Sequence, residues 1–349
     1  MGSTNQTGDS VFILLGLSGD PGQQQILFVL FLALYLVTVG GNLLIVLAIG
    51  TDSHLHSPMY FFLANLSLDD ICFSSATIPK MLANIQTSSS AISYAGCLSQ
   101  VYFSFLFGDL DEFFLAVMAY DRFMAICRPL SYTTAMSPRN CVLLVAACWV
   151  LAQLNSLLHT ILLAQLTFCA DRTIPHFFCD LAPLLLLSCS STSINELALI
   201  SVGGAVILLP LMCILGSYVY IVSAILRMPS AGSMHKAFSS CGSHLAVVSL
   251  FYGTAISEYL CPSPPGSTDE SRLAAVSYAV VTPLLNPFVY SLRNHDLQRA
   301  LYRFLCRRKP SNLLGSIQKL VLAHSQTPTP PRDSVDLSDE QGFLEMGIC

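Results

Sequence analysis

The chain has 349 residues, 53% of them hydrophobic and only 11% charged, with a mean hydropathy of +0.62. A water-soluble protein of this size carries about a quarter of its residues as charges, so most of this chain is built for lipid surroundings. The net charge of −5 argues against a nucleic-acid partner. Thirteen cysteines without a C-x-x-C pair, and eight histidines without H-E-x-x-H, argue against metal hydrolysis, and no metal site is expected.

Residues 1–25 read as a polar N-terminal segment carrying a glycosylation sequon at Asn5, which has meaning only on the outer side of a membrane. No cleavable signal precedes the first apolar run, which is therefore expected to act as the targeting signal. That run, about 25–49, is long enough to cross a bilayer on the criterion of roughly 20 residues. Further spans follow at about 58–83, 97–127, 140–164, 196–227, 237–261 and 271–292, making seven. Pro58, Pro210, Pro283 and Pro287 interrupt several of them, which membrane helices tolerate when neighbours re-satisfy the backbone. The third span carries Asp109, Asp111 and Glu112, so it is expected at the centre of the bundle rather than against lipid.

Basic residues set the orientation. With the N-terminus outside, only Lys80, Arg172 and Arg272 face outward, and all other Lys and Arg residues, including Arg303, Arg307, Arg308 and Lys309, face inward. Cys97, Cys169, Cys179 and Cys189 then fall on the oxidising side. Four cysteines allow three pairings, and spacing does not choose among them. The cysteines inside spans read as small buried hydrophobes. Cys306, beside the basic run, is a candidate for palmitoylation.

The third span ends on adjacent charges, Asp121 and Arg122, within MAYDRFMAIC at 118–127. A terminal Arg can simply snorkel to headgroups, but a neighbouring Asp, with Tyr218 and Tyr290 near the same ends of other spans, makes a polar cluster suited to switching. Asn286, Pro287 and Tyr290 form N-P-x-x-Y, in which proline weakens the helix and gives either a static kink or a hinge. Asp70 and Asp111 are intramembrane acids that could share a proton or hold a Na+ ion. Asp69 reads as their neighbour only, and Glu112 as a residue hydrogen-bonded to another helix.

Five stretches in order carry a resemblance: LHSPMYFFLANLS at 55–67, MAYDRFMAIC, HFFCD at 176–180, KAFSSCGSH at 236–244 and PLLNPFVYSLRN at 283–294. The chain resembles the tetrapod-type odorant receptors of the rhodopsin-like G-protein-coupled class, over roughly residues 10–306. Phe123-Met124 stands where that family usually has Tyr-Val, and the tail is longer than usual. The resemblance implies an all-α membrane protein, a seven-transmembrane helix bundle with a short amphipathic eighth helix, spanning residues 26–306. The polar segment 1–25 lies before it, and a Pro/Ser/Thr/Asp-rich cytoplasmic tail, 307–349, reads as disordered.

The resemblance further implies disulfides Cys97–Cys179 and Cys169–Cys189, shaping a lid. It implies that Asp121 restrains Arg122 at rest, that Arg122 meets the G protein on activation, and that Asn42 and Asn286 approach the Asp70–Asp111 pair. A pocket for a small volatile molecule is expected in the outer half of the bundle. Ser104, Phe105, Gly108 and Asp109 would form one wall, with Ser104 and Gly108 on a common face. Val202, Val206, Tyr252, Tyr259 and Tyr278 would form the others. Tyr252 would couple ligand contact to movement of the sixth span. The implied partners are an odorant, the heterotrimeric stimulatory G protein of olfactory neurons acting through cyclic AMP, the lipid bilayer and accessory trafficking proteins. The implied location is the plasma membrane, multi-pass, N-terminus outside and C-terminus cytoplasmic. An enzyme is not expected, since neither a catalytic constellation nor a glycine-framed aspartyl dyad is present. A transporter would show two related halves, and none are seen.

Overall fold

The computed structural model describes residues 11–17, 20–169, 172–227, 231–260 and 276–307, with 235–240, 255–260, 277–278, 291–293 and 305–307 among those described by their backbone alone. Asn5, the 308–349 segment and the side chains of Tyr259, Tyr278 and Cys306 therefore lie outside the described residues, as do those of 236–240.

Helix α1 covers Pro21–Thr51, α2 Pro58–Thr87, α3 Tyr94–Cys127, a short α4 Pro129–Ala135, and α5 Pro138–Ala164. Two short helices follow, α6 at Leu181–Leu186 and α7 at Ser193–Ala198. A wide π turn, Leu199–Gly203, joins α7 to α8, Gly204–Leu226. Next come α9, Ala231–Leu260, a π segment Ser277–Val281 leading into α10, Thr282–Arg293, and α11, His295–Arg307. The starts are written locally: prolines at the head of α1, α2, α4 and α5 occupy positions whose N–H has no partner in any helix. Asp20 accepts from Gly22 N at 3.0 Å and Ser93 from Gly96 N at 3.1 Å, as side-chain caps do. These caps place α1 and α3 a few residues ahead of the starts expected from hydropathy.

Three of the long helical stretches, Gly22–Thr51, Pro138–Ala164 and Ser193–Leu226, are long and apolar enough by themselves to cross a membrane. Helices α2 and α3 fall short on composition because they carry the bundle's polar residues inward, and Ala279–Tyr290 is apolar but shorter. Helix α2 buries Ser67, Asp69, Asp70, Ser74 and Thr77, and α3 buries Gln100, Asp109, Asp111, Glu112, Asp121 and Arg122. Helix α3 is central, packing against α2, α5, α8 and α9. One large apolar core, including Phe62, Phe73, Leu110, Phe114, Ile221 and Phe251, surrounds its Arg122-bearing half.

One expectation is corrected at the other end. The N-terminal segment is not uniformly polar: β1, Val11–Leu14, alternates exposed and buried side chains, and Phe12 is fully enclosed. It pairs antiparallel with β2, Ala91–Ser93, and parallel with β3, Thr173–Ile174. Phe12 meets the rings of Phe168 and Tyr94, so this small sheet caps the disulfide-bearing end. The cysteine expectation is also corrected in part, since Cys72 and Cys213 are exposed on the bundle surface while Cys141, Cys148 and Cys241 are buried.

Candidate functional site

Both disulfides form, Cys97–Cys179 and Cys169–Cys189, with Cα atoms 5.4 and 5.9 Å apart. Gln100 fastens the lid a second time: its side-chain oxygen accepts from Cys179 N at 3.1 Å while its amide donates to the Ala76 carbonyl at 3.2 Å. The HFFCD stretch is a plug, with Phe177 and Phe178 packed among Phe31, Ile78, Met81 and Val280. Burial pushes the Asp180 carboxyl above its ordinary range, partly offset by the Leu181 N–H and by His176.

Below the lid, Phe105 is followed three and four residues on by Gly108 and Asp109, and Glu112 follows these by four and three, which gives α3 a single continuous face. Phe105 lies against the His159 ring, centroids 4.9 Å apart. Asp109 accepts from Asn155 Nδ2 at 2.9 Å, fixing α3 to α5. The same seam holds Tyr102, whose hydroxyl meets Gln153 and whose carbonyl accepts from Ser156 Oγ. Ser104 is half-buried with an unpaired hydroxyl, Gly108 is buried, and Val206 is half-buried on α8. Tyr252 is 5% exposed, its hydroxyl unpaired, within electrostatic reach of Glu112. Glu112 does not hydrogen-bond across to another helix through Oε2, as expected from sequence; that atom is buried and unpaired. Val202 is the other correction: it is 40% exposed, at the margin of the buried stripe of α8. It lies in the π turn, whose wider winding rotates it away from the position that α-helical spacing from Val206 assigns. Two cavities lie elsewhere: one of about 570 Å3 beside Arg299 and Tyr302 of α11, and a groove of about 430 Å3 on the flank of α3 and α8 near Tyr120 and Met212.

At mid-bundle, both carboxyl oxygens of Asp70 accept from Asn286 Nδ2, at 2.9 and 3.1 Å. Asp69 is buried next to Asp70, and neither of its carboxyl oxygens has a hydrogen-bond partner among the described residues. Among the described residues no group of three or more His, Cys, Asp or Glu side chains is arranged to hold a metal ion. Asn42 reaches α10, where Nδ2 donates to the Pro283 carbonyl at 3.2 Å.

Toward the far end, Tyr290 is buried within electrostatic reach of Arg122, Asp70 and Asp111, its hydroxyl without a hydrogen-bond partner among the described residues. Asp121 and Arg122 are both buried at the end of α3. Asp121 accepts from the hydroxyl of Tyr132 on α4 at 2.9 Å, a partner the sequence did not suggest. Burial and the adjacent Asp121 carboxylate push the Tyr132 phenol up, so it stays the donor. Tyr218 Oη and His244 Nδ1 are hydrogen-bonded at 2.8 Å, and His244 Nε2 donates to the Leu115 carbonyl at 3.0 Å. The carbonyl can only accept, so Nε2 carries a proton. His244 thus ties α3, α8 and α9 together beside Arg122, which it senses electrostatically. It sits in the KAFSSCGSH stretch, where the motif was visible but no role was assigned. The hydroxyl of Tyr60 meets Asn294 Oδ1 at 3.0 Å, and that oxygen also accepts from Asp296 N and Leu297 N, capping α11.

A sequence description of the family "Olfactory receptor" matches residues 31–308. "Olfactory receptor 1f45" of Rattus norvegicus is 59% identical over 311 residues, covering 89% of this chain and 99% of that protein. "Olfactory receptor 1E2" of Gorilla gorilla gorilla is 57% identical over 89% of this chain and 99% of that protein. "Olfactory receptor 1N1" of Homo sapiens is 56% identical over 87% of this chain and 98% of that protein. Squid rhodopsin shares the fold with a TM-score of 0.62 at 17% identity, over 88% of this chain and 89% of its own.

Proposed function

The chain belongs to the olfactory receptor family, a multi-pass plasma-membrane G-protein-coupled receptor that senses odorants and is not an enzyme, and from that premise we propose how it binds and signals. The odorant enters beneath the disulfide-bonded lid and is held by Ser104, Phe105, Gly108, Asp109, Val206 and Tyr252, with Tyr259 and Tyr278 contributing from α9 and the π segment before α10. It favours one arrangement of a pre-existing equilibrium because it binds that arrangement more tightly.

The observation that carries this reading is a series of buried polar groups along the bundle. It includes Tyr252, Glu112, Asp111, Asp69 and Asp70, with Asn286 donating to Asp70, and then Tyr290, Arg122 and the Tyr218–His244 bridge. Buried polar groups in a bundle of this kind are expensive and serve a function, and several here are only partly satisfied. A series with unpaired members has alternative pairings, which is what a two-state device needs.

The disulfide-bearing end lies outside, supported by the disulfides and by the scarcity of basic residues there. Asn5 then carries a glycan. The Arg122 end faces the cytoplasm, where it receives the stimulatory olfactory G protein and raises cyclic AMP, and accessory proteins assist delivery to the surface. The Asp70 and Asp111 carboxyls, both buried in the bundle, share a proton rather than a Na+ ion, since burial disfavours the charged form.

The test is the cyclic AMP response to a panel of volatile compounds in cells supplied with that G protein, at matched surface level. The wild type is expected to respond in a dose-dependent way, Arg122→Ala to lose the response, and Tyr252→Ala to shift or lose it. An undiminished response in Arg122→Ala contradicts the mechanism.

A further inference from the structure

The odorant reading leaves the chemical class of the ligand open, and the charge of the pocket wall narrows it. Asp109 and Glu112 stand one turn apart on the inward face of α3, 8% and 6% exposed. No Lys or Arg lies in the sequence between Lys80 and Arg122, between Arg139 and Arg172, between Arg172 and Arg227, or between Lys236 and Arg272. Those intervals contain the membrane lengths of α3, α5, α8 and α9, the elements around the site. Arg122 itself is ten residues along α3 from Glu112, about 15 Å at the rise of a helix. No basic side chain of these elements can therefore reach either carboxyl.

A second observation points to a ligand. The Tyr252 hydroxyl, on a residue 5% exposed, has no protein partner among the described residues and lies within electrostatic reach of Glu112. On the α5 side, Nε2 of His159 is equally enclosed and unpaired, 3.7 Å from where a Cβ on Gly203 would stand. Buried polar atoms without partners are rare in folded proteins. Here one lies within electrostatic reach of Glu112, and the other belongs to the ring packed against Phe105, one turn from Asp109, while Phe105 and Val206 supply apolar wall.

We propose that this face is the recognition site for the ammonium group of a small amine, with Glu112 and Asp109 as its anionic partners and Tyr252 closing over it. A carboxyl taken out of water must bind a proton or pair with a cation. A primary amine, protonated at neutral pH much as Lys is, brings three donors and one positive charge. Its three donors reach the two carboxyls and the Tyr252 oxygen, and the phenol ring adds a cation–π face. Its hydrocarbon end packs against Phe105 and Val206. A neutral alcohol of the same length keeps the apolar contact and forfeits the charge-assisted bonds, which are about twice as strong as neutral ones.

The inference rests on the receptor reading, but its test does not pass through signalling. The full chain, purified in lipid nanodiscs, is titrated with hexylamine, benzylamine, hexanol and benzyl alcohol while thermal unfolding is followed. Both amines should stabilise the wild type at concentrations at least about tenfold lower than the matched alcohols. Glu112→Gln and Asp109→Asn should each raise the amine midpoint by about tenfold or more and move the alcohol midpoint by less than about threefold. Glu112→Asp, which keeps the charge, should recover part of the amine preference, so a variant that merely misfolds is told apart. Equal binding of amines and alcohols by the wild type overturns the proposal, as does an amine midpoint unchanged in Glu112→Gln, or absence of amine binding at millimolar concentration. A purified chain that prefers amines yet fails to raise cyclic AMP would count against the signalling reading and leave this one standing.

Discussion

Asn42 donates to the carbonyl of Pro283 at 3.2 Å, and that carbonyl is the one Pro287 leaves without its helical partner four residues on. The Asn-Pro pair of α10 therefore weakens its own helix and is repaired from α1. The approach is close because Gly41 lies beside the ring: a Cβ there would stand 3.2 Å from Pro287 Cγ. Asn42→Ala should reorphan a buried carbonyl and destabilise the receptor by about 1–3 kcal/mol. Gly41→Ala should push α1 from α10 and lower stability by about 1–3 kcal/mol. Thermal unfolding in nanodiscs measures both; unchanged midpoints would mean that the repair contributes nothing.

The lid is held by a covalent link and by Gln100. Cys97→Ser or Cys179→Ser should cost about 2–5 kcal/mol and remove most receptor from the cell surface. Gln100→Ala should be milder, about 1–3 kcal/mol, because it leaves the Cys179 N–H and the Ala76 carbonyl without their partner. Surface labelling should rank the variants wild type, Gln100→Ala, then Cys179→Ser.

His244 links three helices through one ring. Replacing it with Phe keeps the volume and removes both bonds, freeing α9 from α3 and α8. At about 0.5–1.5 kcal/mol per net hydrogen bond, ligand-free cyclic AMP should rise roughly 2- to 10-fold at equal surface level. Tyr218→Phe should give a smaller rise, and the double variant should add little to His244→Phe, since both changes break the same bridge. Additive effects would show that the two residues act separately.

The legibility of these features in the sequence follows their chemistry. Helix positions were readable because apolar length is written locally, while the Asp and Ser caps that set the starts of α1 and α3 were passed over, and the eighth helix was reached through resemblance. The Asn286–Asp70 contact was reached through resemblance, since residues 216 apart along the chain leave no local signal. The His244–Leu115 bond was out of reach for a different reason. Its acceptor is a backbone carbonyl, and every residue has one. Strand β1 was missed because four residues carry little pattern, and Val202 because a π turn changes the winding.

The last prediction concerns the junction of the loop after α1 with α11. Asp52 accepts from His54 N at 3.1 Å, meets His54 Nδ1 at 3.0 Å and pairs with Arg303 at 2.8 Å. The hydrogen bond from the His54 side chain, together with the His54 N–H and the Arg303 and His54 charges, holds the Asp52 carboxyl below its ordinary range. A carboxyl depressed in the folded state contributes stability that is fully present above its unfolded value and is lost only as pH falls through the folded one. The docking of α11 should therefore be insensitive to pH across about 5 to 8 and weaken only in stronger acid. Asp52→Asn should remove the acid dependence and loosen α11 equally at all these values, because the charge that draws Arg303 is gone. Spin labels on α11 and on the loop at 53–55 would report the distance. A separation that grows between about pH 8 and 5 would mean that a group other than Asp52 controls this contact.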